Sequence, residues 1–453
     1  MDADSELAKT LSVGQAIGLG ITIVVGSGLL VLPGIAYQQV GDAAIYAWLV
    51  CALVVLPLLV VFGWLGSRHP SAGGIAGFVE AGVGRVGAGA TEVLLIGTFS
   101  LGIPSIAITG GNYASTVVGG STAVAAAGGL AILLLAAGVN WLGSSVSGRV
   151  QQVLAVGLVV LVIGGAVAAL LAAPVVNPHV APPSEWTAAV PVLGAVFFAF
   201  AGWEMLSFTA EEYRNPRRDF PLAVAGSFVT VLAMYLLIAL GVQRALDRGD
   251  PDLDRAPVAG MFEAAFGGAA ARGVGVAGTA IIAANVIAAV WAASRLYFSS
   301  ARAGLLPAAL ARVDRTSRAP RPAIAACVSV MVAVWLAHTL GWVSLDLLLR
   351  LAGQNFLVLY GLSVAAFLLL ARRPLLRAVG VLAGAAVLAT AATFGPELLY
   401  TAALLATGAV LTRRSRARRI APTAAPGDVA PGEATQPESA VPPRTADPGP
   451  SPA

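Results

Sequence analysis

Charge is scarce in this chain. Only 11% of its 453 residues are Asp, Glu, Lys or Arg, where a soluble domain carries about 25%. A water-exposed surface of ordinary extent is therefore excluded. No soluble core can absorb a chain that is 58% hydrophobic, so the apolar surface must face a bilayer. Lysine is nearly absent, Lys9 being the single one. The two cysteines, Cys51 and Cys327, sit in apolar runs and suggest neither a disulfide framework nor a metal site. The three histidines, His69, His179 and His338, are scattered near the ends of such runs. There is no Gly-x-Ser-x-Gly elbow, no His-Glu-x-x-His and no aspartate-rich lipid-phosphate motif. No enzyme, no cofactor and no metal is expected. Nothing resembles a nucleic-acid surface either, because the positive charge lies in loops flanking the apolar runs. A signal peptide is not expected, since the start is acidic (Asp2, Asp4, Glu6) and the first apolar run is too long.

What the sequence has is long apolar stretches. They run near Leu11–Tyr37, Ala43–Gly66, Val86–Val118, Thr122–Leu142, Val150–Ala173, Val190–Ala210, Leu222–Val242, Val274–Phe298, Ala323–Leu340, Leu345–Leu370, Leu375–Phe394 and Leu398–Leu411. A helix needs about 20 residues to span a bilayer, and continuous rather than alternating apolarity excludes strands. The fold class is thus an all-α integral membrane protein of about twelve transmembrane helices. With the N-terminus in the cytoplasm, the outside holds only Arg244, Arg248, Arg255 and Arg272, on one long loop, and Arg350 falls within a span. Every other Lys and Arg falls inside. This asymmetry places both termini in the cytoplasm of a multi-pass protein of the cell inner membrane. Residues 1–10 form a cytoplasmic N-terminus, 11–412 the transmembrane domain, and 413–453 a disordered cytoplasmic tail rich in Pro, Ala and Gly. The tail's opening basic cluster sits against anionic lipid headgroups.

Two spans carry interruptions in matching places. The first contains Gly26-Ser27-Gly28, and the sixth contains Phe200-Ala201-Gly202-Trp203-Glu204. Glycine costs roughly 1 kcal/mol in a helix interior, and paired glycines let the backbone leave helical geometry. Each interrupted span opens a group of five, and five is odd, so the second group enters the membrane inverted. That is a 5+5 inverted-repeat core with broken helices 1 and 6, an architecture that binds substrate at the breaks. The alternative is that these small residues serve plain helix packing.

These residues and others carry a resemblance. Gly26-Ser27-Gly28 with Pro33, Pro70-Ser71-Ala72-Gly73-Gly74, Phe200–Glu204, Glu211–Pro221, Ser294-Arg295 and Ala301–Pro307 stand in the order of motifs in the amino acid–polyamine–organocation superfamily. The resemblance covers roughly residues 11–412 and implies the LeuT-like transporter fold. Pro70–Gly74 together with Asn215–Pro221 looks most like bacterial exporters of methionine and branched-chain amino acids. The chain departs from family patterns in two places. The fifth span has no lysine to stand in for sodium, and Trp203 puts a large ring where relatives carry a smaller side chain.

The expected function is secondary active transport of small neutral amino acids of the methionine, leucine, isoleucine and valine class, by proton-coupled efflux. Proton-driven uptake or exchange is the alternative, with a channel or a membrane enzyme behind it, since no pore-like ring of charge and no catalytic motif shows. The N–H groups of Gly26, Ser27 and Gly28 are expected to take the carboxylate at a half-helix N-terminus. Carbonyls near Val24, Val25, Phe200 and Ala201 are expected to take the ammonium. The resemblance implies the same arrangement, with Gly202 as the second break. Phe200 and Trp203 read equally as pocket wall and as packing aromatics. Glu204, a carboxylate at membrane depth, is the expected proton-coupling residue, because burial raises a carboxyl pKa; the alternative is that it lies near the cytoplasmic end and joins Glu211 and Glu212 at the interface. Glu92 is expected near the inner boundary, and Arg350 to snorkel or pair with Asp346. Met261, Phe262 and Phe266 read as a lid or as simple packing. Asn285, Trp291, Gln354 and Asn355 read as polar or aromatic residues at plausible depth that join helices.

Overall fold

The computed structural model describes residues 12–68, 74–118, 120–142, 162–203, 215–314, 317 and 319–420. Among them every regular element is an α-helix or a short 3-10 turn. The chain enters as α1 (Val13–Val24), breaks, and continues as α2 (Ser27–Val40). Ser12 starts α1 with a reciprocal cap, accepting from the Gln15 N–H while its own N–H donates to Gln15 Oε1. A turn at Gly41, with φ +57°, leads into α3 (Ala44–Arg68). Then come the short α4 (Gly74–Val83), the long α5 (Arg85–Val118) and α6 (Thr122–Trp141). The part of the fifth span that is described is α7 (Val162–Ala172). A 3-10 stretch over Pro183–Val192 delivers the chain to α8 (Leu193–Ala199).

The second half repeats the plan with α9 (Pro216–Ala245), α10 (Pro257–Phe266), α11 (Gly268–Arg302) and α12 (Arg321–Thr339). It closes with α13 (Leu345–Leu370), α14 (Pro374–Ala391) and α15 (Leu398–Ile420). The α13 bounds coincide with the expected span, because Ser344 caps its first turn through the Leu347 N–H at 3.1 Å. α15 departs from expectation. It carries its helix through the basic run Arg413–Arg419, where a tail was expected from 413.

Eight stretches among the described residues are long and apolar enough to cross a membrane. They correspond to the second, third, fourth and seventh to eleventh expected spans, the first stretch also taking in α2. The remaining expected spans are the two interrupted ones, the partly described fifth, and α15 with its arginines. Large apolar side chains face outward, with Leu53 68%, Leu171 84% and Leu388 71% exposed. In water such a surface would aggregate; here it is the lipid-facing belt. Depth in the bundle differs sharply. α5 is 78% buried over its apolar window and α14 only 22%, so α5 is a central post and α14 a peripheral one.

The packing is reciprocal. α1 lies on α9, the helix that follows the second interruption, and α8 lies on α3, the helix that follows the first. α2 and α8 also touch each other, and α11 runs along α5. A five-plus-five repeat makes these pairings. Side chains also show which helix ends share a face. On one, Arg321 lies 5.3 Å over the Trp141 ring and Ser415 Oγ donates to the Ala303 carbonyl at 3.1 Å. On the other, Asn177 Nδ2 donates to Asp42 at 2.6 Å, and Gln39 Nε2 to Asp346 at 2.9 Å. There Arg248 also donates to the Gln38 and Gln39 carbonyls at 3.0 and 2.7 Å, occupying the free end of α2. The ends alternate between the faces as the twelve expected crossings require. Arg350 does not pair with Asp346, whose carboxylate is taken by Gln39. It pairs with Glu397 at 3.4 Å, where the α14–α15 connection returns to the same face.

Candidate site at two helix breaks

The first span does come apart. α1 ends at Val24, Val25 is extended (φ −80°, ψ 98°), and Gly26 has φ −132°, ψ −139° before α2 restarts at Ser27. A helix cannot bond its own first N–H groups. Those of Gly26, Ser27 and Gly28 receive no acceptor from any described residue. They form the positive end of a 14-residue helix inside the bundle.

The second break differs. α8 ends at Ala199, and the Phe200 and Ala201 N–H groups reach back to Phe197 and Phe198 at 3.0 and 3.1 Å, a tightened last turn. Gly202 then takes φ +117°, a left-handed conformation open to glycine. Its N–H donates to the Tyr360 hydroxyl of α13 at 3.2 Å. The carbonyls of Val25, Phe200 and Ala201 receive no hydrogen bond from a described residue.

The two breaks are tied together. Tyr235 of α9 places its hydroxyl 2.5 Å from the Ala199 carbonyl and 3.3 Å from the Val24 carbonyl, the last carbonyls of α8 and α1. Of the four carbonyls expected to receive an ammonium, Val24 is thus shared with a tyrosine, while Val25, Phe200 and Ala201 stay open. Gly28 sits where the half-helices cross. A Cβ there would lie 2.8 Å from Ala199 Cα, so only glycine permits the approach.

Around this junction stands an aromatic wall. Trp48 of α3 packs on Tyr235 and Phe200, with ring centroids 4.9 and 6.1 Å away. Phe200 is buried against Tyr235, and Trp203 against Phe228 at 5.8 Å. Phe200 therefore packs on α3 and α9, and Trp203 on α9. The Trp203 Nε1–H is buried with no acceptor among the described residues. On the far side, Asn285 of α11 lies flat against Gly26, its carboxamide 3.5 Å from where a Cβ would stand. An apolar cleft lined by Leu30, Val162, Ile238, Phe262 and Ile281 runs beside α2, but it offers no polar group to a charged ligand.

Sequence reading missed Tyr235, Tyr360 and Trp48. Their signal was present, because Tyr and Trp deep in apolar runs must bring a polar tip to some partner. Glu204, expected to couple protons, lies outside the described residues, as do Glu211, Glu212, Arg214 and Pro70–Gly73. Glu92 is half-buried near the start of α5, where Ser300 Oγ of α11 donates to it at 2.7 Å. Asn355 joins helices by accepting from Thr401 Oγ1 at 2.6 Å. Trp291 is 47% exposed and lies beneath Arg295. Met261 is buried and α10 packs on α11, α9 and α2, while the exposed Phe266 meets only its own helix's Phe262 among the described rings, tilted at 5.9 Å.

The chain is similar to known transporters along most of its length. The uncharacterized amino acid permease YecA of Bacillus subtilis is 27% identical over 375 residues, which is 81% of this chain and 87% of that protein. The L-methionine/branched-chain amino acid exporter YjeH of Escherichia coli is 32% identical over 221 residues, 49% of this chain and 53% of that protein. The branched-chain amino acid permease BcaP of Bacillus subtilis is 24% identical over 403 residues, 82% and 83% of the two chains. A family described as amino acid permease matches residues 11–418. With two half-helices meeting inside the bundle and that match spanning nearly the whole chain, this protein belongs to the amino acid permease family.

Proposed function

We propose that this permease moves small neutral amino acids of the methionine, leucine, isoleucine and valine class across the cell inner membrane, with both termini in the cytoplasm. One observation carries the reading. Among the described residues, the N–H groups of Gly26, Ser27 and Gly28 meet no acceptor and the nearby carbonyls of Val25, Phe200 and Ala201 meet no donor. Backbone left open at this depth is tolerated where it lines a cavity, and these two sets complement a carboxylate and an ammonium. Hydrogen bonds to a charged group contribute about 1.5–3 kcal/mol each, so two or three offset much of the zwitterion's desolvation. Tyr235 holds the two sets in register. The described spans carry few ionised side chains, which suits a neutral aliphatic substrate over a dication or dicarboxylate.

Efflux is the favoured direction, supported by the likeness to the exporter of Escherichia coli. Glu204, next to the second break in sequence, is the proposed proton carrier. The test is counterflow in proteoliposomes with leucine, isoleucine, valine, methionine and phenylalanine, each with and without a pH gradient. Saturable counterflow of the first four is expected, and no movement of any of them would overturn the reading. Glu204→Gln is expected to keep counterflow but lose its response to the pH gradient. Uptake or exchange replaces efflux if the gradient accelerates substrate entry instead.

A further inference from the structure

Asn285 belongs to none of the interactions that hold the two breaks together. It lies midway along α11, 17 residues from Gly268 and 17 from Arg302, far from either end of that span. Its neighbours Ile282 and Val286 are fully buried. Asn285 itself is half-buried and makes no hydrogen bond to a described residue. Several other polar side chains in the spans are engaged: Ser105, Thr109, Ser227 and Ser363 bond the carbonyl one turn back, and Asn140 bonds its own helix and Ile287 of α11, whereas Gln354 Oε1 and Asn355 Nδ2 on α13 are buried without a partner among the described residues. A carboxamide left unpaired in lipid-depth protein is unfavourable unless something else meets it. What it faces is Gly26. Both terminal atoms of the carboxamide are 3.5 Å from the point where a Cβ would stand, so the missing side chain exposes the amide to the open end of α2. At the second break, the Trp203 Nε1–H is likewise buried without a partner among the described residues.

We infer that Asn285 is a substrate-binding residue, whose amide donates to the amino acid's carboxylate alongside the N–H groups of Gly26, Ser27 and Gly28. The inference rests on the function proposed above and deepens it. Backbone donors recognise negative charge at a helix end. A side-chain amide from a different helix adds direction, so that the carboxylate is gripped from two elements at once. It also ties α11 to the first break through the ligand itself. A site built this way rejects an analogue that lacks the matching group.

The test uses the full-length protein in proteoliposomes, with labelled leucine as substrate and leucinamide, which carries a carboxamide in place of the carboxylate, as competitor. Asn285→Asp sets a negative charge against the carboxylate, and Asn285→Ala removes the donor. Both variants are expected to raise the KM for leucine about ten- to a hundredfold, the worth of a hydrogen bond to a charged group. Asn285→Asp is also expected to shift the leucine-to-leucinamide preference toward the amide. A residue that only packs helices would lower the maximal rate or the yield of monodisperse protein and leave that preference unchanged. An unchanged preference, or a leucine KM within twofold of wild type in both variants, overturns the inference while leaving the function proposal standing. Failure of the wild type to move leucine overturns the proposal on which it rests.

Discussion

The two breaks are made differently. At the first, the chain leaves helix for two residues and restarts, and nothing described binds the N–H groups so exposed. At the second, the turn tightens before it opens, Gly202 swings to positive φ, and Tyr360 takes its N–H. One break presents donors and the other has its donor occupied. On the function proposed above, the difference gives the site a polarity, with the anionic end of a ligand at α2 and the cationic end toward the α8 carbonyls. Tyr235 bonds the last carbonyls of both α1 and α8.

The largest effect is expected where the breaks cross. Gly28→Ala forces a methyl against Ala199 main chain, and overpacking of this kind costs about 1–3 kcal/mol. Leucine counterflow should fall at least about tenfold; a fully active variant would break the picture of half-helices in contact. Gly202→Ala comes next. Strain at its φ is worth about 1–3 kcal/mol, and a lowered melting temperature with weakened transport is expected. Tyr235→Phe leaves two buried carbonyls without their donor, at about 1–3 kcal/mol, and should alter both stability and the leucine KM. Tyr360→Phe removes the acceptor of the Gly202 N–H at the second break and should cost about 1 kcal/mol of stability with a smaller change in KM. Equal KM effects from the two tyrosines would erase the asymmetry.

The smallest effect is a control away from both breaks. In the α9–α10 loop, burial, then the nearby Asp250 and Glu263, push the Asp252 carboxyl above the usual aspartate range, against the pull of Arg255. The folded protein holds that proton more tightly than the unfolded chain. Stability therefore falls as pH rises from the ordinary aspartate value of about 3.9 through the raised one, and the full penalty persists above it. Asp252→Asn should raise the melting temperature slightly at pH 7. The gain should vanish near pH 4, and counterflow should be unaffected throughout.

The breaks were legible in the sequence because glycine clusters punctuate otherwise unbroken apolar runs, and helix lengths were legible from the runs themselves. What holds the breaks was not. Tyr235 lies 36 residues from Ala199 and 211 from Val24, and no local pattern announces a contact at those separations. Arg350 shows the same limit. Asp346 was the near neighbour in the chain, but the partner is Glu397, delivered by a return of the backbone that spacing cannot encode. Trp203 stood out as a large ring in a motif of small residues. Its place against Phe228, on a helix beginning thirteen residues later at Pro216, is a consequence of packing alone.

One further contact bears on movement. Where α8 meets α13, Gly353 abuts the Gly194 carbonyl and the start of the Phe198 peptide, main chain to main chain. Interlocked side chains must change rotamers before two rods can part, whereas a bare seam needs none. The α8–α13 contact has both kinds: beside the glycine seam, Phe197 meets Tyr360 at 5.8 Å and Phe198 meets Phe356 at 6.1 Å, so a shift of α8 along α13 requires those rings to repack while the bare main-chain contact needs no such change.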